Sequence, residues 1–285
     1  MSARKTLTAG AALVLTALGA WATIIEPDEL VVQPTTISLA DWPVAWRGLR
    51  IAAISDVHAG SFYVGYSKLE HLTDLTNAAR PDLIVLLGDY VCHRRPREDV
   101  ERPDNLAKIL ARLRAPLGVV AVLGNHDNWM DGRRVRRAFE SNGIRVLDNE
   151  VLRLERGGRA LWLAGIADAL TGNPRVDATL ARVPQGEAVV ALTHNPDLFD
   201  HEIPDRVLLT LAGHTHGGQV RLPIVGCLIV PSAYGQRYVQ GTVVEGRRTL
   251  FVSPGVGTSI APIRFGVPPE ISLLTVTDGP RREGR

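Results

Sequence analysis

Lysine is scarce in this chain of 285 residues, and neither sign of charge dominates. Only Lys5, Lys68 and Lys108 are lysines among the 32 basic residues, and 30 acidic residues leave a formal net charge of +2. The chain therefore lacks the basic excess with which nucleic-acid-binding proteins neutralise a phosphate backbone. Hydrophobic residues make up 45% of the sequence, which excludes an intrinsically disordered protein.

Aromatic residues and cysteines are also few. Five each of Phe, Tyr and Trp offer little for stacking bases, so no nucleic-acid partner is expected. The two cysteines, Cys92 and Cys227, cannot form a disulfide framework. They could form a single bridge in an oxidising compartment, and the sequence leaves their redox state open.

The first 25 residues differ in composition from the rest. Arg4 and Lys5 precede an uncharged apolar run over residues 7–25, which is typical of a signal peptide or an uncleaved membrane anchor. Ala20 and Ala22 offer a cleavage site, so cleavage and anchoring both stay open. Positive residues tend to remain cytoplasmic, which predicts a catalytic domain outside the cytoplasm, membrane-anchored or secreted. We divide the chain into this segment (1–25), a domain (26–277) and a flexible tail (278–285).

Short apolar runs recur along the chain, and each ends in a polar cluster. The runs occupy residues 51–54, 83–87, 119–123, 188–192 and 207–211. Their length and their β-branched residues are typical of buried strands. Helix-compatible stretches separate the first three runs, which indicates βαβ units and an α/β fold. In such sheets, ligands bind beyond the carboxyl ends of the strands.

Each of these strand ends carries Asp, Asn or His. These residues are Asp56, His58, Asp89, Asn125, His126, Asp127, His194, His214 and His216. One such residue alone is usually a turn or a helix cap, but the recurrence at every strand end favours a shared site. Carboxylate, amide and imidazole groups bind hard or borderline divalent cations. Gly88, Gly124 and Gly213 precede cluster residues, where a Cβ would obstruct a close backbone approach.

This ordered set resembles the calcineurin-like metallophosphoesterase superfamily over about residues 50–276. The matching motifs are Asp56-x-His58, Gly88-Asp89, Gly124-Asn125-His126-Asp127, His194 and Gly213-His214-Thr215-His216. The N-terminal run and the C-terminal segments 255–259 and 262–271 are similar to its membrane-associated, YkuE/YaeI-like branch. The resemblance implies a four-layer αββα sandwich preceded by an N-terminal hydrophobic helix. It also implies two divalent metal ions, for which Mn²⁺ is the first expectation and Fe or Zn²⁺ are the alternatives.

The resemblance further implies a role for each residue. Asp89 bridges the two metals; Asp56, His58 and His216 complete one site, and Asn125, His194 and His214 the other. Two such ions lower the pKa of water towards neutrality and clamp phosphate oxygens. His126 matches a family histidine that orients the substrate or protonates the leaving oxygen. We hypothesise that Asp127 fixes the tautomer of His126.

These features predict an exported phosphoesterase that cleaves phosphodiester or pyrophosphate bonds. Similar enzymes act on UDP-2,3-diacylglucosamine, so a lipid-linked substrate is expected. A phosphomonoesterase with the same metals and a metal-stabilised binding module without turnover are the alternatives. The apolar segment 222–231 is either a lipid-facing wall beside the site or two buried strands around a Gly turn. Arg264 could pair with a substrate phosphate or could be a surface arginine.

Overall fold

The computed structural model of the chain describes residues 2–92 and 102–279, and it describes side chains from residue 10 onward. The helices are α1 (Ser2–Ala20), α2 (Tyr66–Ala78), α3 (Pro103–Leu110), α4 (Asn125–Ser141), α5 (Val176–Leu180) and α6 (Leu198–His201). The strands are β1 (Val31–Leu39), β2 (Leu49–Ile54), β3 (Leu83–Leu86), β4 (Val119–Ala121), β5 (Arg145–Val146), β6 (Glu150–Arg156), β7 (Arg159–Gly165), β8 (Ala188–Leu192), β9 (Leu209–Ala212), β10 (Arg221–Leu222), β11 (Gly226–Cys227), β12 (Gly241–Glu245), β13 (Arg248–Val252) and β14 (Glu270–Asp278).

Two six-stranded sheets contain most of these strands. The first has the order β1-β14-β2-β3-β4-β5 and the second the order β12-β13-β9-β8-β7-β6. All five apolar runs of the sequence form strands, namely β2, β3, β4, β8 and β9. The pairs β2–β3, β3–β4 and β8–β9 are parallel. The carboxyl ends of β2, β3 and β4 therefore share one edge of the first sheet, as those of β8 and β9 do in the second.

The two sheets face each other across a buried apolar layer. Ile51 and Val85 of the first sheet belong to the same core cluster as Val190 and Leu211 of the second. The outer face of the first sheet packs with α2, α3 and α4, and that of the second with α5 and α6. Continuous apolar strands suit this arrangement because both of their faces are covered. The result is a mixed α/β sandwich, as the strand pattern predicted.

The N-terminal segment, predicted as a hydrophobic helix, is helical in the structure. α1 continues into a π-helical turn at Trp21–Ile25. None of the described helices is both long and apolar enough to cross a membrane. The carbonyl of Ala22 accepts a hydrogen bond from the Arg264 N–H, and the Glu26 carboxylate accepts one from the Val267 N–H. The contacts of the domain thus begin inside the segment 1–25.

The apolar segment 222–231 is not a pair of buried strands. β10 and β11 form an antiparallel hairpin of two residue pairs. The side chains of Ile224, Val225, Leu228 and Ile229 are exposed. The prediction of buried strands is therefore wrong, because the hairpin lies outside both six-stranded sheets and contacts the rest of the protein at its base, where the Arg221 N–H donates to the Phe265 carbonyl.

Two smaller expectations concern the cysteines and the tail. Cys92 and Cys227 are both free thiols. Asp278, placed in the flexible tail, is the last residue of β14 and forms an ion pair with Arg47 at 2.5 Å. The rest of the predicted tail, beyond residue 279, lies outside the described residues.

Candidate metal centre

The polar strand ends of both sheets meet at one place in the sandwich. Asp56 and His58 follow β2, and Asp89 follows β3. His194 follows β8, and His214 and His216 follow β9. Asn125, His126 and Asp127 form the first turn of α4, directly after β4. All are buried except His126, whose side chain is 14% exposed.

Five of these residues adopt left-handed backbone conformations. The φ angles are 51° at Asp56, 46° at His58, 56° at Asp89, 70° at His214 and 52° at His216. Each non-glycine residue in this region costs on the order of 1–3 kcal/mol, and such residues cluster at functional sites. The backbone is therefore strained at the residues whose side chains, the predicted ligands, converge on a common point.

Two of the glycines make this convergence sterically possible. A Cβ on Gly124 would lie 2.2 Å from Oδ1 of Asp89, and a Cβ on Gly213 would lie 1.7 Å from Oγ of Ser55. No side chain fits at those distances. These glycines therefore bring α4 and the turn after β9 against the strand ends that carry Asp89 and Asp56.

One group of donors surrounds His194. Its Nδ1 lies 2.8 Å from the carbonyl oxygen of Leu87, which can only accept, so Nδ1 carries a proton. Its Nε2 then points at Oδ2 of Asp89 (3.3 Å), Oδ1 of Asn125 (3.1 Å) and Nδ1 of His214 (3.1 Å). Four atoms with lone pairs thus converge in a buried space.

A second group surrounds His216. Its Nε2 lies 3.1 Å from Nε2 of His58 and 3.4 Å from Oδ1 of Asp56. The other carboxylate oxygen of Asp56 accepts hydrogen bonds from the His214 N–H and the Ser55 hydroxyl. Oδ1 itself is buried and has no hydrogen-bond partner among the described residues. An unpaired buried carboxylate oxygen costs free energy, and a cation at this point would remove that cost.

The Asp89 carboxylate lies between the two groups. Its Oδ1 accepts the backbone N–H of His126 at 2.8 Å. Its Oδ2 faces Nε2 of His194 at 3.3 Å, of His58 at 3.7 Å and of His126 at 4.0 Å. Ligands about 2.1 Å from a shared ion lie about 3.0–3.4 Å apart, so the donor sets fit divalent cations. The groups Asp56–His58–His216 and Asp89–His194–His214 both meet the spacing of a metal site.

Burial and the charge of Asp89 set the pKa values of the histidines at the centre. Burial, partly offset by Asp89, lowers the pKa of His58 to about 3, so this ring is neutral and its lone pair is available. Burial also lowers the pKa of His194, but the charge and hydrogen bond of Asp89 outweigh it and raise that pKa to about 10. Without a metal, a proton on His194 therefore balances the Asp89 carboxylate, whose pKa lies well below its usual range.

Contrary to the prediction, the carboxylate of Asp127 does not contact the imidazole of His126. Its carboxylate accepts the backbone N–H groups of Asp89 (2.8 Å), Tyr90 (2.8 Å) and Gly124 (2.9 Å). Burial and the charge of Asp89 raise the pKa of Asp127 to about 7, against the effect of these donors. The reason for the discrepancy is its place in the first turn of α4, which directs the side chain back to the loop after β3. The Asp127 carboxylate is therefore hydrogen-bonded to the loop that carries Asp89 and not to the imidazole of His126.

Arg264 is neither a substrate ligand nor a surface arginine. The side chain is fully buried, and its guanidinium donates to the carbonyl oxygens of Pro254, Gly255, Gly257 and Val267. Main-chain carbonyls therefore occupy the donors that a phosphate would need. Sequence reasoning missed this because arginine is seldom fully buried.

Asp168 is a residue near the centre that the sequence pattern did not single out. It follows β7, its side chain is buried, and its Oδ2 accepts the N–H and hydroxyl of Thr171. Its charge raises the pKa values of His194 and His214, against burial. Asp168 also lines a polar pocket of about 230 Å³ with Asn128 and Arg175. No glycine directly precedes it, so the signal that marked the other strand ends is absent.

Comparison with known proteins agrees with this geometry. The family model described as calcineurin-like phosphoesterase matches residues 49–218, which include every residue placed at the centre. The chain belongs to this family.

Curated relatives extend the match over nearly the whole chain. An uncharacterized metallophosphoesterase, YkuE of Bacillus subtilis, is 32% identical over 271 residues, covering 93% of each protein. Phosphodiesterase YaeI of Escherichia coli is 31% identical over 79% of this chain and 81% of its own length. UDP-2,3-diacylglucosamine pyrophosphatase LpxG of Chlamydia trachomatis is 28% identical over 89% of this chain and 91% of its own. A metallophosphoesterase is a hydrolase, and this chain is one.

Proposed function

We propose that this hydrolase uses two divalent metal ions to cleave phosphodiester or pyrophosphate bonds. The observation that carries the proposal is Oδ2 of Asp89, which faces histidines of both donor groups, His194 at 3.3 Å and His58 at 3.7 Å. A carboxylate in that position suits a bridge between two ions. Bound divalent ions would supply an activated water and charge stabilisation for the phosphate oxygens. Mn²⁺ is the species we expect, with Fe or Zn²⁺ as alternatives.

The protein side chains divide the work around that centre. Asp56, His58 and His216 hold one ion, while Asn125, His194 and His214 hold the other. Asp127 fixes the loop after β3 through its backbone hydrogen bonds, so Oδ2 of Asp89 keeps its direction. His126 has the most exposed side chain of the set and lies edge-on to His58, with ring centroids 4.6 Å apart. From this rim it can orient the substrate or protonate the leaving oxygen.

The relatives and the surface favour a lipid-linked substrate. The names of two relatives state phosphodiesterase and UDP-2,3-diacylglucosamine pyrophosphatase activities. An apolar hairpin is exposed next to the turn that carries His216. Export through the N-terminal segment, with the catalytic domain outside the cytoplasm, belongs to the same proposal. The substrate we propose joins a phosphodiester or diphosphate to an apolar chain.

The test uses the full chain, freed of metal by a chelator and then reloaded with Mn²⁺. Hydrolysis of bis(p-nitrophenyl) phosphate and of p-nitrophenyl phosphate is compared for the wild type, Asp89→Asn and His126→Ala. We expect manganese-dependent cleavage that is faster for the diester. Asp89→Asn should lower bound manganese and activity together. His126→Ala should keep its manganese and lose about 10²–10⁴-fold in kcat.

A matched control separates His126 from histidines in general. His71 is exposed on α2, so His71→Ala should leave manganese content and both rates unchanged. Faster cleavage of the monoester would show a phosphomonoesterase instead. Loss of manganese from His126→Ala would refute its role as a non-ligand. A manganese-loaded protein that cleaves neither these esters nor a lipid-linked diphosphate would be a binding module, contrary to the proposal.

A further inference from the structure

The hairpin of β10 and β11 presents aliphatic side chains that no part of the described protein covers. Ile224 at its tip is fully exposed, and Val225, Leu228 and Ile229 are each more than half exposed. We call these residues, together with Arg221, the hairpin surface. Isolated exposed apolar residues are common, but a contiguous group marks an interaction site.

The backbone conformation at the tip also indicates a functional role for Ile224. Ile224 has φ 70°, a left-handed conformation that is rare for a β-branched residue. Such a conformation costs on the order of 1–3 kcal/mol and persists where function maintains it. An asparagine or a glycine would adopt this turn conformation at lower cost and would not expose an aliphatic side chain to water. Ile224 is thus both strained and exposed, and the fold gains nothing from it.

The hairpin surface continues onto the N-terminal segment. Trp21 lines the same cleft of about 970 Å³ as Ile224, Val225 and Phe265. Beside Trp21, the side chains of Ile24 and Ile25 are also exposed. Two elements far apart in the sequence therefore contribute to one apolar surface. An indole at its margin suits a membrane interface, where tryptophan is enriched.

The charges of the hairpin match a phospholipid. Arg221 is the only charged residue of the segment 221–231, and it is exposed at the base of the hairpin. No carboxylate of the described residues lies within ion-pair distance of Arg221. Of the acids that line the cleft, Glu26 is engaged by the Val267 N–H, and Glu29 is exposed. An aliphatic tip above a free guanidinium complements acyl chains above phosphate groups.

A protein partner would suit this surface less well. The centres of protein interfaces are enriched in aromatic residues and carry about one hydrogen bond per 100–200 Å². The exposed side chains of the tip are aliphatic and offer no side-chain donor or acceptor. Contact with a hydrocarbon phase requires neither.

The hairpin is also directly attached to the candidate metal centre. The thiol of Cys227 lies 3.1 Å from the carbonyl oxygen of Gly217, the residue after His216. A Cβ on Gly218 would lie 2.6 Å from Cβ of Cys227, so the two segments are in close contact. A surface that docks through the hairpin therefore lies beside the His216 turn.

We propose that the hairpin surface inserts its aliphatic tip into a phospholipid bilayer and so holds the catalytic centre at the membrane surface. The insertion is peripheral. Its value for catalysis rests on the proposed function, because it would bring the centre to a phosphodiester or diphosphate at the lipid headgroup level. The insertion itself needs no turnover.

The experiment measures how deeply the hairpin enters the bilayer, in addition to whether the protein binds vesicles. Val225→Trp places a new indole on the hairpin surface, and Val44→Trp places one at another exposed valine, outside the hairpin surface. Each full-length variant is mixed with phosphatidylcholine vesicles that contain a minority of phosphatidylglycerol and brominated acyl chains. We expect the brominated chains to quench most of the emission added by Val225→Trp, and none of that added by Val44→Trp. Ile224→Asp should weaken vesicle affinity more than about tenfold, and Arg221→Gln about fivefold.

Several results would overturn the proposal. Vesicle binding without additional quenching of Val225→Trp would mean that the N-terminal segment alone contacts lipid. Dimerisation in the absence of vesicles, abolished by Ile224→Asp, would assign the surface to a second copy of this chain. The catalytically silent Asp89→Asn variant should bind vesicles as the wild type does, so failure of the phosphoesterase proposal would leave this result unchanged.

Discussion

Arg264 holds a buried positive charge behind the loop that supports Asp56. Its guanidinium binds the carbonyls of residues 254, 255, 257 and 267, and the N–H of Gly257 donates to the Asp56 carbonyl at 2.7 Å. Burial lowers the pKa of Arg264 to about 10, so the group stays charged at neutral pH. The loop and the left-handed Asp56 are therefore fixed by one side chain whose planar donors suit several carbonyls.

Replacing Arg264 with lysine tests this positioning role. Arg264→Lys keeps a charge but cannot reach four carbonyls, so we expect the free energy of unfolding to fall by about 2–4 kcal/mol. Manganese affinity should fall as well, because Asp56 loses its support. Urea unfolding and a manganese titration measure the two effects. The exposed Arg247→Lys serves as control, and equal stability of both variants would contradict the role.

The buried Lys68 should make the stability of the fold depend on pH. Its ammonium donates to the Pro27 carbonyl at 2.6 Å, yet burial lowers its pKa from 10.5 to about 8. Between about pH 8 and 10.5 the unfolded chain binds more protons at this residue than the folded chain, so stability rises with pH there. The full gain is about 3 kcal/mol at 1.36 kcal/mol per pH unit. Urea unfolding at pH 7 and pH 10 should show most of this gain in the wild type and none of it in Lys68→Met. The same change in unfolding free energy in both proteins would contradict the prediction.

At the scale of elements, the turn after α1 is part of the folded domain. Ala22 and Glu26 accept backbone hydrogen bonds from Arg264 and Val267, at 3.0 and 2.6 Å. Glu26 also accepts the indole N–H of Trp21 at 2.7 Å. A chain that begins at Trp21 keeps these contacts, whereas one that begins at Pro27 leaves two buried N–H groups unpaired.

Truncation at these two points should therefore have different effects. We expect the chain from Pro27 to lose about 2–4 kcal/mol of unfolding free energy relative to the chain from Trp21, since an unpaired buried donor costs about 1–3 kcal/mol. Urea unfolding of the two truncated chains measures the difference. Glu26→Ala in the longer chain should reproduce part of the loss. If the two chains unfold at the same urea concentration, the turn does not contribute to the fold.

The elements also show what could be predicted from sequence. Buried strands with polar ends are visible because their runs are continuous and a turn follows each, and all five formed as expected. Asp168 was missed because it lies three residues beyond Gly165, the last residue of β7, and no glycine directly precedes it. The sequence left segment 222–231 open between a lipid-facing wall and two buried strands, because apolar composition does not reveal whether a segment is covered by a neighbour. Asp127 and Arg264 were misassigned because side-chain direction depends on tertiary contacts.

At the scale of the molecule, the candidate metal centre connects the two sheets. Asp56, His58 and Asp89 follow strands of the first sheet, whereas His194, His214 and His216 follow strands of the second. Without a cation, the centre gathers several imidazoles and a carboxylate oxygen that has no hydrogen-bond partner in the described parts of the chain. Bound ions would link the sheets at this edge and compensate for the strained backbone of five residues.

Removal of metal should therefore destabilise the whole sandwich. A ligand that binds only the folded state at 100 times its Kd adds about 2.7 kcal/mol. For a protein of this size that corresponds to about 5–10 °C in Tm per ion. We expect the chelated protein to melt at lower temperature and to regain its Tm with increasing Mn²⁺. The Asp89→Asn variant should show a smaller shift because it lacks the shared carboxylate, and His71→Ala should respond as the wild type does. A Tm independent of Mn²⁺ in the wild type would mean that no ion connects the sheets, since a cation bound by both must oppose their separation.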